Sequence, residues 1–233
     1  MPTVDLKVMS YNVGGHTALV AGRYLERIAR VIEREKPDLV GLQEVHRGTW
    51  LARFADQAEA LARLTGMTLS FGKSYGSGKG EFGNALLAAG EVKESVVHAL
   101  PGSGEPRTVL SSRIAVRGAD VQFLVTHLAA WGRFGSAARA AQVLELGLRL
   151  RSTAAPFVLV GDLNAPPEAP ELRHLMASEL FRACGGLEST HRMTRQRIDY
   201  VFADPGWTTV ASRVLRVGPS DHWPVVVELR REA

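Results

Sequence analysis

The segment FVLVGDLN, residues 157–164, runs from a continuous apolar stretch into an acid and an amide. A short apolar run that ends in glycine and polar residues is typical of a buried strand. Asp162 and Asn164 are two residues apart, so an extended backbone directs both side chains to one side. The segment predicts a central strand with a carboxylate and an amide at its end. An Asx turn leading into residues 165–167 is the alternative role for this pair.

Five further segments have the same character, a strand-like apolar run with polar residues beside it. They are SYNV (10–13), LQEV (42–45), THL (126–128), RIDYVF (197–202) and SDHWPV (220–225), and they carry Asn12, Glu44, His127, Asp199, Asp221 and His222. Six such segments along one chain indicate that the fold gathers their polar residues at one rim. Carboxylates, amides and imidazoles together are what a hard divalent cation and a phosphate need. The pattern therefore predicts a metal-dependent phosphoesterase.

The composition is that of an ordinary globular protein, since 45% of the 233 residues are hydrophobic and 22% are charged. This length suits one large α/β domain and no linker divides it, so we expect a single domain over residues 1–233. No apolar run approaches the roughly 20 residues of a membrane-spanning helix. The N-terminus also lacks the basic and apolar regions of a secretory signal, which predicts a cytoplasmic protein without a membrane span.

Charge and cysteine content add two limits. The net charge of +4 permits a polyanionic partner without requiring one. The single cysteine, Cys184, excludes an internal disulfide and a thiolate metal cluster. We expect Cys184 to be a small buried side chain rather than a reactive thiol.

Apolar runs alternate with helical periods along the chain. Helical spacing predicts helices over residues 21–36, 50–64 and 136–151 and a short helix near 168–177, whereas residues 67–128 have the pattern of short strands broken by glycine turns. Strands flanked by helices in both halves predict an α/β fold, a four-layered sandwich of two packed mixed β-sheets with helices outside. The polar residues would then lie at one edge of the sandwich.

The first polar residues suit cation and water chemistry. Glu44, after a buried apolar run, is a candidate cation ligand because Mg²⁺ favours one or two protein carboxylates and several waters. Asn12 can donate a neutral oxygen ligand or orient Glu44. Asp162 can activate a water, and Asn164 can hold a phosphate oxygen or the nucleophile.

The C-terminal residues supply a second set of groups. Asp221 and His222 are adjacent, so an extended backbone points them apart and predicts different functions for them. Asp199 can hold one ring nitrogen of His222, which would raise its pKa and suit it to contact a phosphate. His127 offers a second donor to the phosphate. The remaining histidines, at positions 16, 46, 98, 174 and 191, share no ligand spacing, and we expect surface or capping roles for them.

In order and spacing, these motifs resemble the endonuclease/exonuclease/phosphatase superfamily, which includes DNase I-like and exonuclease III-like enzymes. The ordered set SYN, QE, THL, GDLN, IDY and SDH carries the resemblance, from residue 10 to residue 225. It implies a DNase I-like fold, with Mg²⁺ or Mn²⁺ as cofactor. It also implies that Asn12, Glu44 and Asp221 are metal ligands.

The same resemblance implies roles for the other residues. Asp162 and Asn164 match the pair assigned to the water nucleophile and the phosphate. His222, oriented by Asp199, matches the imidazole that stabilises the transition state or protonates the leaving oxygen. His127 matches a phosphate-contacting position. Arg107, in the segment EPRTVL, resembles the family's arginine on a middle strand and is a further phosphate-binding candidate.

Two loops bear on the substrate. Residues 129–139 contain Trp131, Arg133, Phe134 and Arg139 without an acid, and aromatics among arginines can stack on bases and hold backbone phosphates. A lid whose aromatics pack on the core is the alternative for this loop, and Arg139 can instead simply begin a helix. Residues 189–197 carry three arginines just before Asp199.

Three functional interpretations follow. The leading one is a Mg²⁺- or Mn²⁺-dependent nuclease that acts on DNA phosphodiesters. The second is a phosphatase or phosphodiesterase for a small or lipid-linked phosphate, of the inositol phosphate or sphingomyelin type. The third, a catalytically silent binding module, is disfavoured because every chemical position is filled.

Overall fold

The computed structural model describes residues 3–15, 23–130, 135–153 and 156–232, except for the side chain at position 174. Its strands are β1 (Thr3–Asn12), β2 (Leu39–Arg47), β3 (Thr68–Ser77), β4 (Gly80–Ala88), β5 (Glu91–Leu100), β6 (Arg107–Val116), β7 (Ala119–His127), β8 (Phe157–Asp162), β9 (Arg182–Cys184), β10 (Asp199–Ala203), β11 (Thr208–Val214) and β12 (Val225–Glu232). Its α-helices are α1 (Tyr24–Glu35), α2 (Gln57–Thr65), α3 (Gly135–Ser152) and α4 (Arg173–Met176).

The strands form two six-stranded sheets with the same pattern of pairing. The first sheet has the order β11-β12-β1-β2-β4-β3 and the second β5-β6-β7-β8-β10-β9. In each sheet one central pair is parallel, β1 with β2 and β7 with β8. The remaining pairs are antiparallel. A parallel pair needs a crossover connection, and α1 and α3 lie in those two connections.

Three apolar layers hold the sheets and helices together. Between the sheets, Val8 and Leu39 of the first sheet belong to one cluster with Val125 and Val160 of the second. The approach is close at Gly41, where an added Cβ would lie 2.2 Å from Val160 Cγ2. The outer face of the first sheet packs on α1 and α2, and that of the second packs on α3. The protein is therefore the four-layered α/β sandwich that the sequence predicts.

The predicted helix over residues 50–64 is wrong in its first part. Trp50–Ala52 forms a 3-10 turn, and Arg53 and Phe54 then adopt left-handed backbone with φ of 52° and 62°. The α-helix begins only at Gln57, where the side chain of Asp56 accepts a hydrogen bond from Glu59 N–H and caps it. Trp50 and Phe54 are consequently exposed instead of lying on a buried helical face.

The other predicted helices are present within the described ranges. The segment predicted over 21–36 is α1, and that over 136–151 is α3. The short helix near 168–177 is a 3-10 turn over Pro170–Leu172 followed by α4. Where the structure describes the chain, it contains no helix with the length and apolar character to cross a membrane. Cys184 is buried, as predicted, and this burial raises the pKa of its thiol.

The topology explains why the polar motifs meet. The parallel strands β1, β2, β7 and β8 run toward one edge of the sandwich, and loops at the carboxyl ends of parallel strands form the usual site of an α/β sheet. The strands β6 and β10 run antiparallel to their neighbours, so they begin at that same edge. In the second sheet, Asp162 is paired in register with both His127 and Asp199.

Candidate active site

Asn12 joins the two sheets at this edge. Its side chain is fully buried at the end of β1. The amide nitrogen donates to Asp162 Oδ2 at 2.9 Å and to Glu44 Oε1 at 3.1 Å, while Oδ1 accepts from Gly14 N–H at 3.0 Å. One amide thus holds a carboxylate from each sheet, and the role of Asn12 as a neutral cation ligand stays a prediction.

A β-bulge directs Glu44 into the site. The pairing of β2 with β4 shifts register between Leu42 and Val45, and Glu44 within the bulge has a φ of 59°. Left-handed backbone at a non-glycine residue costs about 1–3 kcal/mol and is concentrated at functional sites. Gly15 packs against the bulge so closely that an added Cβ would lie 2.1 Å from the Glu44 carbonyl oxygen.

Asp162 uses its two carboxylate oxygens differently. Oδ1 accepts from Asn164 N–H at 2.8 Å, which is an Asx turn, and Oδ2 accepts from Asn12. Asp162 therefore forms the Asx turn with one carboxylate oxygen and still presents the other oxygen to the site. Asn164 itself has a φ of 51°, so the extended backbone assumed for this pair is wrong. Its amide still reaches the site, because Nδ2 lies 2.9 Å from His127 Nε2 and donates to Leu128 O at 3.1 Å.

His127 lies between groups that donate hydrogen bonds. Arg107 Nη1 is 2.9 Å from His127 Nδ1, and Asn164 Nδ2 is on the opposite side of the ring at Nε2. Arg107 is only 6% exposed, and its Nη2 is held by Glu105 Oε1 at 2.9 Å. Asp162 Oδ2 is 3.6 Å from His127 Nε2. Arg107 therefore contacts a site imidazole directly, and its contact with substrate phosphate stays a prediction.

Asp199 and His222 form the predicted acid–imidazole pair. His222 Nδ1 lies 2.9 Å from Asp199 Oδ2 and 3.2 Å from Oδ1, and His222 Nε2 lies 3.7 Å from Asp162 Oδ2. Thr190 fixes the start of β10, because its Oγ1 accepts from the N–H groups of Ile198 and Asp199 at 3.0 Å each. The ring is thus held between two buried carboxylates.

Burial and neighbouring charges shift three pKa values in the site. Burial opposes the charge on His222, but the carboxylates of Asp199 and Asp162 outweigh it and raise the pKa of His222. Burial and the charge of Asp199 raise the pKa of Asp162. Burial, assisted by the Arg107 cation, lowers the pKa of His127 to about 3. The site therefore holds one imidazole charged and the other neutral at ordinary pH.

Asp221 lies at the rim rather than inside the cluster. Its side chain is 45% exposed, and Oδ2 lies 3.7 Å from His191 Nε2. The adjacent His222 is buried, yet a carboxylate oxygen of Asp221 lies within 4.8 Å of a ring nitrogen of His222, so the prediction that the two side chains point apart is wrong. Two groups in the described part of the chain have atoms spaced to hold a cation, namely Asp162 with Asp199 and His222, and His191 with Asp221 and His222.

The two loops predicted to contact substrate differ in what they contribute. Trp131, Arg133 and Phe134 lie outside the described residues. Arg139 is buried, pairs with Glu171 at 2.7 Å and donates to Ala129 O at 3.0 Å, so it holds the loop to the body of the protein. Nothing in these contacts directs Arg139 toward the site.

In the second loop, only the first two arginines are exposed. Arg197 is buried, with its guanidinium 4.9 Å above the Tyr200 ring. Arg192 and Arg195 are exposed, and Arg192 donates to Ser220 O at 3.4 Å. Arg192 therefore contacts the segment that carries Asp221 and His222, and Arg195 lies on the same loop as Arg192.

Sequence reasoning missed Thr190, His191 and Ser220. Ser220 Oγ donates to Asn12 O at 2.8 Å and accepts from His222 N–H at 3.1 Å, so it ties the His222 segment to β1. Ser220 is the first residue of the SDHWPV motif. Its hydroxyl, two positions before the His222 imidazole, is the sequence feature that could have indicated this role. Thr190 and His191 gave no such signal, because their contacts come from a loop that pairs with distant residues.

Comparison with known proteins agrees with this architecture. The chain matches the model of the Endonuclease/Exonuclease/phosphatase family over residues 9–222. An endonuclease/exonuclease/phosphatase from Beutenbergia cavernae DSM 12333 superposes with a TM-score of 0.84 at 27% identity, covering 99% of this chain and 72% of that one. No curated protein matches the sequence significantly.

Two more distant structures share the fold. The human Nocturnin catalytic domain with bound sulfate anion has a TM-score of 0.76 at 20% identity, covering 97% of this chain and 93% of that one. The Bacteroides thetaiotaomicron VPI-5482 mannosyl-6-phosphatase Bt3783 has a TM-score of 0.78 at 20% identity, covering 96% and 99%. With its motifs gathered at one edge of a two-sheet sandwich, this chain belongs to the endonuclease/exonuclease/phosphatase family, whose members are hydrolases of phosphate esters.

Proposed function

We propose that this chain is a divalent-metal-dependent phosphoesterase that hydrolyses phosphodiester bonds, with DNA as its substrate. The observation that carries the proposal is the arrangement of donors around His127. Arg107 only donates, so His127 Nδ1 accepts from it and the proton of the neutral ring is on Nε2, 2.9 Å from a second donor, the Nδ2 amide of Asn164. An anionic acceptor such as a phosphate oxygen on this side of the ring would accept from both Nε2–H and the Asn164 amide.

The acidic half of the site suits the attacking water. Asp162 is buried, lies next to both imidazoles and has a raised pKa, so it can accept a proton from water near neutral pH. His222, kept cationic by Asp199, presents Nε2 to the same space and can stabilise charge on the phosphoryl group or the leaving oxygen. Asn164 and His127 would hold a phosphoryl oxygen.

The residues present fit a divalent cation. Asn12 brings the carboxylates of Glu44 and Asp162 to the same amide nitrogen, and the burial of Asp162 beside Asp199 disfavours its negative charge. A positive charge at this position would offset that cost. Glu44, with Asn12 beside it and Asp221 at the rim, would hold Mg²⁺ or Mn²⁺. The bound ion would supply Lewis acidity at a phosphoryl oxygen.

Exposed cations support DNA as the substrate. Arg192 and Arg195 lie on the loop that pairs with the His222 segment. Arginines beside an active site contact backbone phosphates of a polyanion, and such contacts weaken steeply with salt. A small sugar phosphate is the second candidate, because the chain and the mannosyl-6-phosphatase cover each other almost completely.

The test is hydrolysis by the purified protein with Mg²⁺, Mn²⁺ or EDTA. The substrates are plasmid DNA, an abasic oligonucleotide, RNA, bis-p-nitrophenyl phosphate, mannose 6-phosphate, inositol phosphates and sphingomyelin. The variants are Glu44→Gln and His222→Gln, matched with Glu33→Gln on the exposed face of α1 and His98→Gln on the edge strand β5.

The outcomes separate the two candidates. Metal-dependent cleavage of DNA that both site variants lose and both matched variants keep would support the nuclease. Hydrolysis of mannose 6-phosphate or another small phosphate with DNA untouched would replace it with the phosphatase. Activity that survives in Glu44→Gln and His222→Gln, or in EDTA, would contradict the assignment of this site.

A further inference from the structure

His191 is brought to the site by the pairing of two loop segments. His191 and His222 form an isolated antiparallel bridge. On either side of it, Arg192 N–H donates to Asp221 O at 2.8 Å and Trp223 N–H donates to Thr190 O at 2.7 Å. The backbone on both sides of His191 is therefore hydrogen-bonded to the segment that carries Asp221 and His222.

The His191 side chain touches both of those residues. Its ring packs edge-on against the His222 ring, with centroids 4.7 Å apart and an interplanar angle of 77°. Its Nε2 lies 3.7 Å from Asp221 Oδ2, and the side chain is only 15% exposed. His191 is thus held at the rim, between an exposed carboxylate and a buried imidazole.

Hydrogen bonds on the far side of the ring determine its tautomer. Thr194 N–H donates to His191 Nδ1 at 3.1 Å, and Thr194 Oγ1 is 2.9 Å from the same nitrogen. A backbone N–H can only donate, so Nδ1 must present its lone pair. The proton of the neutral ring is then on Nε2, the nitrogen that faces Asp221.

This tautomer excludes metal ligation by His191 Nε2 even though the spacing would permit it. The ligand atoms of His191, Asp221 and His222 lie within 4.8 Å of one another, a spacing that suits a cation. A ligating nitrogen needs a free lone pair, and Nε2–H has none. Nε2 is instead a donor aimed at a carboxylate.

We propose that His191 is a positioning residue for Asp221 and His222. Its Nε2–H orients the Asp221 carboxylate, and its ring packs against the His222 imidazole, whose Nδ1 is held by Asp199. The separation of 3.7 Å is longer than a hydrogen bond, and a small rotation of the half-exposed Asp221 closes it. The kinetic part of this proposal depends on the proposed function of the site, whereas the tautomer and the contact with Asp221 do not.

Nitrogen NMR of histidine-labelled, metal-free protein tests the contact without any catalytic assay. The His191 signals are identified by their loss in His191→Phe. We expect a proton on Nε2 and an unprotonated, hydrogen-bonded Nδ1, and we expect the Nε2–H resonance to move in Asp221→Asn but not in Asp120→Asn on β7. A proton on Nδ1 would overturn the proposal, and so would an Nε2–H resonance that does not move in Asp221→Asn.

Kinetics with the substrate that the protein hydrolyses separate positioning from packing. His191→Phe keeps the ring contact and loses the donor, whereas His191→Gln keeps a donor and loses the ring. Removing an outer partner of a ligand typically costs about 10–100-fold in metal affinity or activity. We expect His191→Phe to raise the Mg²⁺ concentration for half-maximal activity by about 10-fold. His191→Gln, which keeps a donor, should raise this concentration much less.

Two results would contradict the kinetic part. Equal losses in His191→Phe, His191→Gln and His191→Ala, with the Mg²⁺ requirement unchanged, would mean that the side chain only fills space. A wild-type protein without activity on any substrate would contradict the proposed function, and the NMR result would still decide whether His191 holds Asp221. His98→Phe on the edge strand is the matched control for a surface histidine.

Discussion

Arg107 Nη1 lies 2.9 Å from His127 Nδ1, and this contact determines how His127 is protonated. A guanidinium only donates hydrogen bonds, so Nδ1 must accept and the single ring proton is on Nε2. Both burial and the Arg107 cation disfavour a second proton, which agrees with a pKa lowered to about 3. His127 is therefore a neutral donor, and His222 is the imidazole that carries charge.

Replacing Arg107 should raise the pKa of His127. Arg107→Met removes the cation beside Nδ1, whereas the burial that contributes most to the lowered pKa remains. We expect the pKa to rise from about 3 but to stay below the ordinary value of 6.5. Titration of the His127 ring signals by NMR measures this directly. An unchanged pKa would mean that Arg107 has no electrostatic effect on the ring.

His127 should also make the fold sensitive to acid. Its pKa is about 3 in the folded protein and near 6.5 when unfolded, so the unfolded state binds more protons between these values. The stability that His127 contributes is present above pH 6.5 and is lost as the pH falls toward 3. Urea unfolding between pH 7 and pH 4 should therefore show a shallower decline for His127→Asn than for the wild type. Parallel declines would contradict this assignment.

Asp199→Asn should reduce activity by about 10²–10⁴-fold, the usual contribution of a proton-transfer or orienting group. The carboxylate holds His222 Nδ1 at 2.9 Å and helps to raise its pKa, so an amide would release the ring and lower that pKa. Turnover with saturating substrate and His222 NMR titration are the two measurements. Asp120→Asn, which removes an exposed carboxylate paired with Lys93 and Arg113, is the matched control and should retain activity.

Gly15→Ala should disturb the Glu44 bulge. The added Cβ would lie 2.1 Å from Glu44 O and 2.6 Å from Gln57 Oε1, so the backbone that aims Glu44 must move. We expect the Mg²⁺ concentration for half-maximal activity to rise and the free energy of unfolding to fall. Gly147→Ala, in α3, meets nothing within 4 Å and should raise the free energy of unfolding by about 0.5–1 kcal/mol with unchanged activity. Equal metal dependence in both variants would argue against the role of the bulge.

The motifs were predictable because each combines two local signals. FVLVG is a continuous apolar run of strand length, which is typical of a buried strand, and polar residues follow directly where it ends. The same holds for the runs before Asn12, Glu44 and His127. Alternation of strands and helices then predicted the layers, and the order of the motifs predicted the family.

Secondary structure predicted from local sequence patterns was wrong where a polar side chain changed the backbone conformation. Residues 50–64 have helical spacing, yet Asp56 caps the helix at Gln57, and Arg53 and Phe54 take left-handed backbone before it. The spacing of Asp162 and Asn164 predicts an extended backbone at Asn164, but the Asx turn in which Asp162 Oδ1 accepts from Asn164 N–H gives it a left-handed backbone. In each case a side chain to backbone hydrogen bond competes with the regular element that periodicity predicts.

By itself, the sequence determined the two-sheet sandwich, the family and the residue types that gather at one edge, because strand burial and strand ends are properties of neighbouring residues. Only the tertiary structure decided which groups touch. The donation of one Asn12 amide to carboxylates of both sheets, the Arg107–His127 contact and the packing of His191 on His222 join residues far apart in the chain. The charge of an imidazole depends on burial and on the partner at each ring nitrogen, and neither is encoded within a motif.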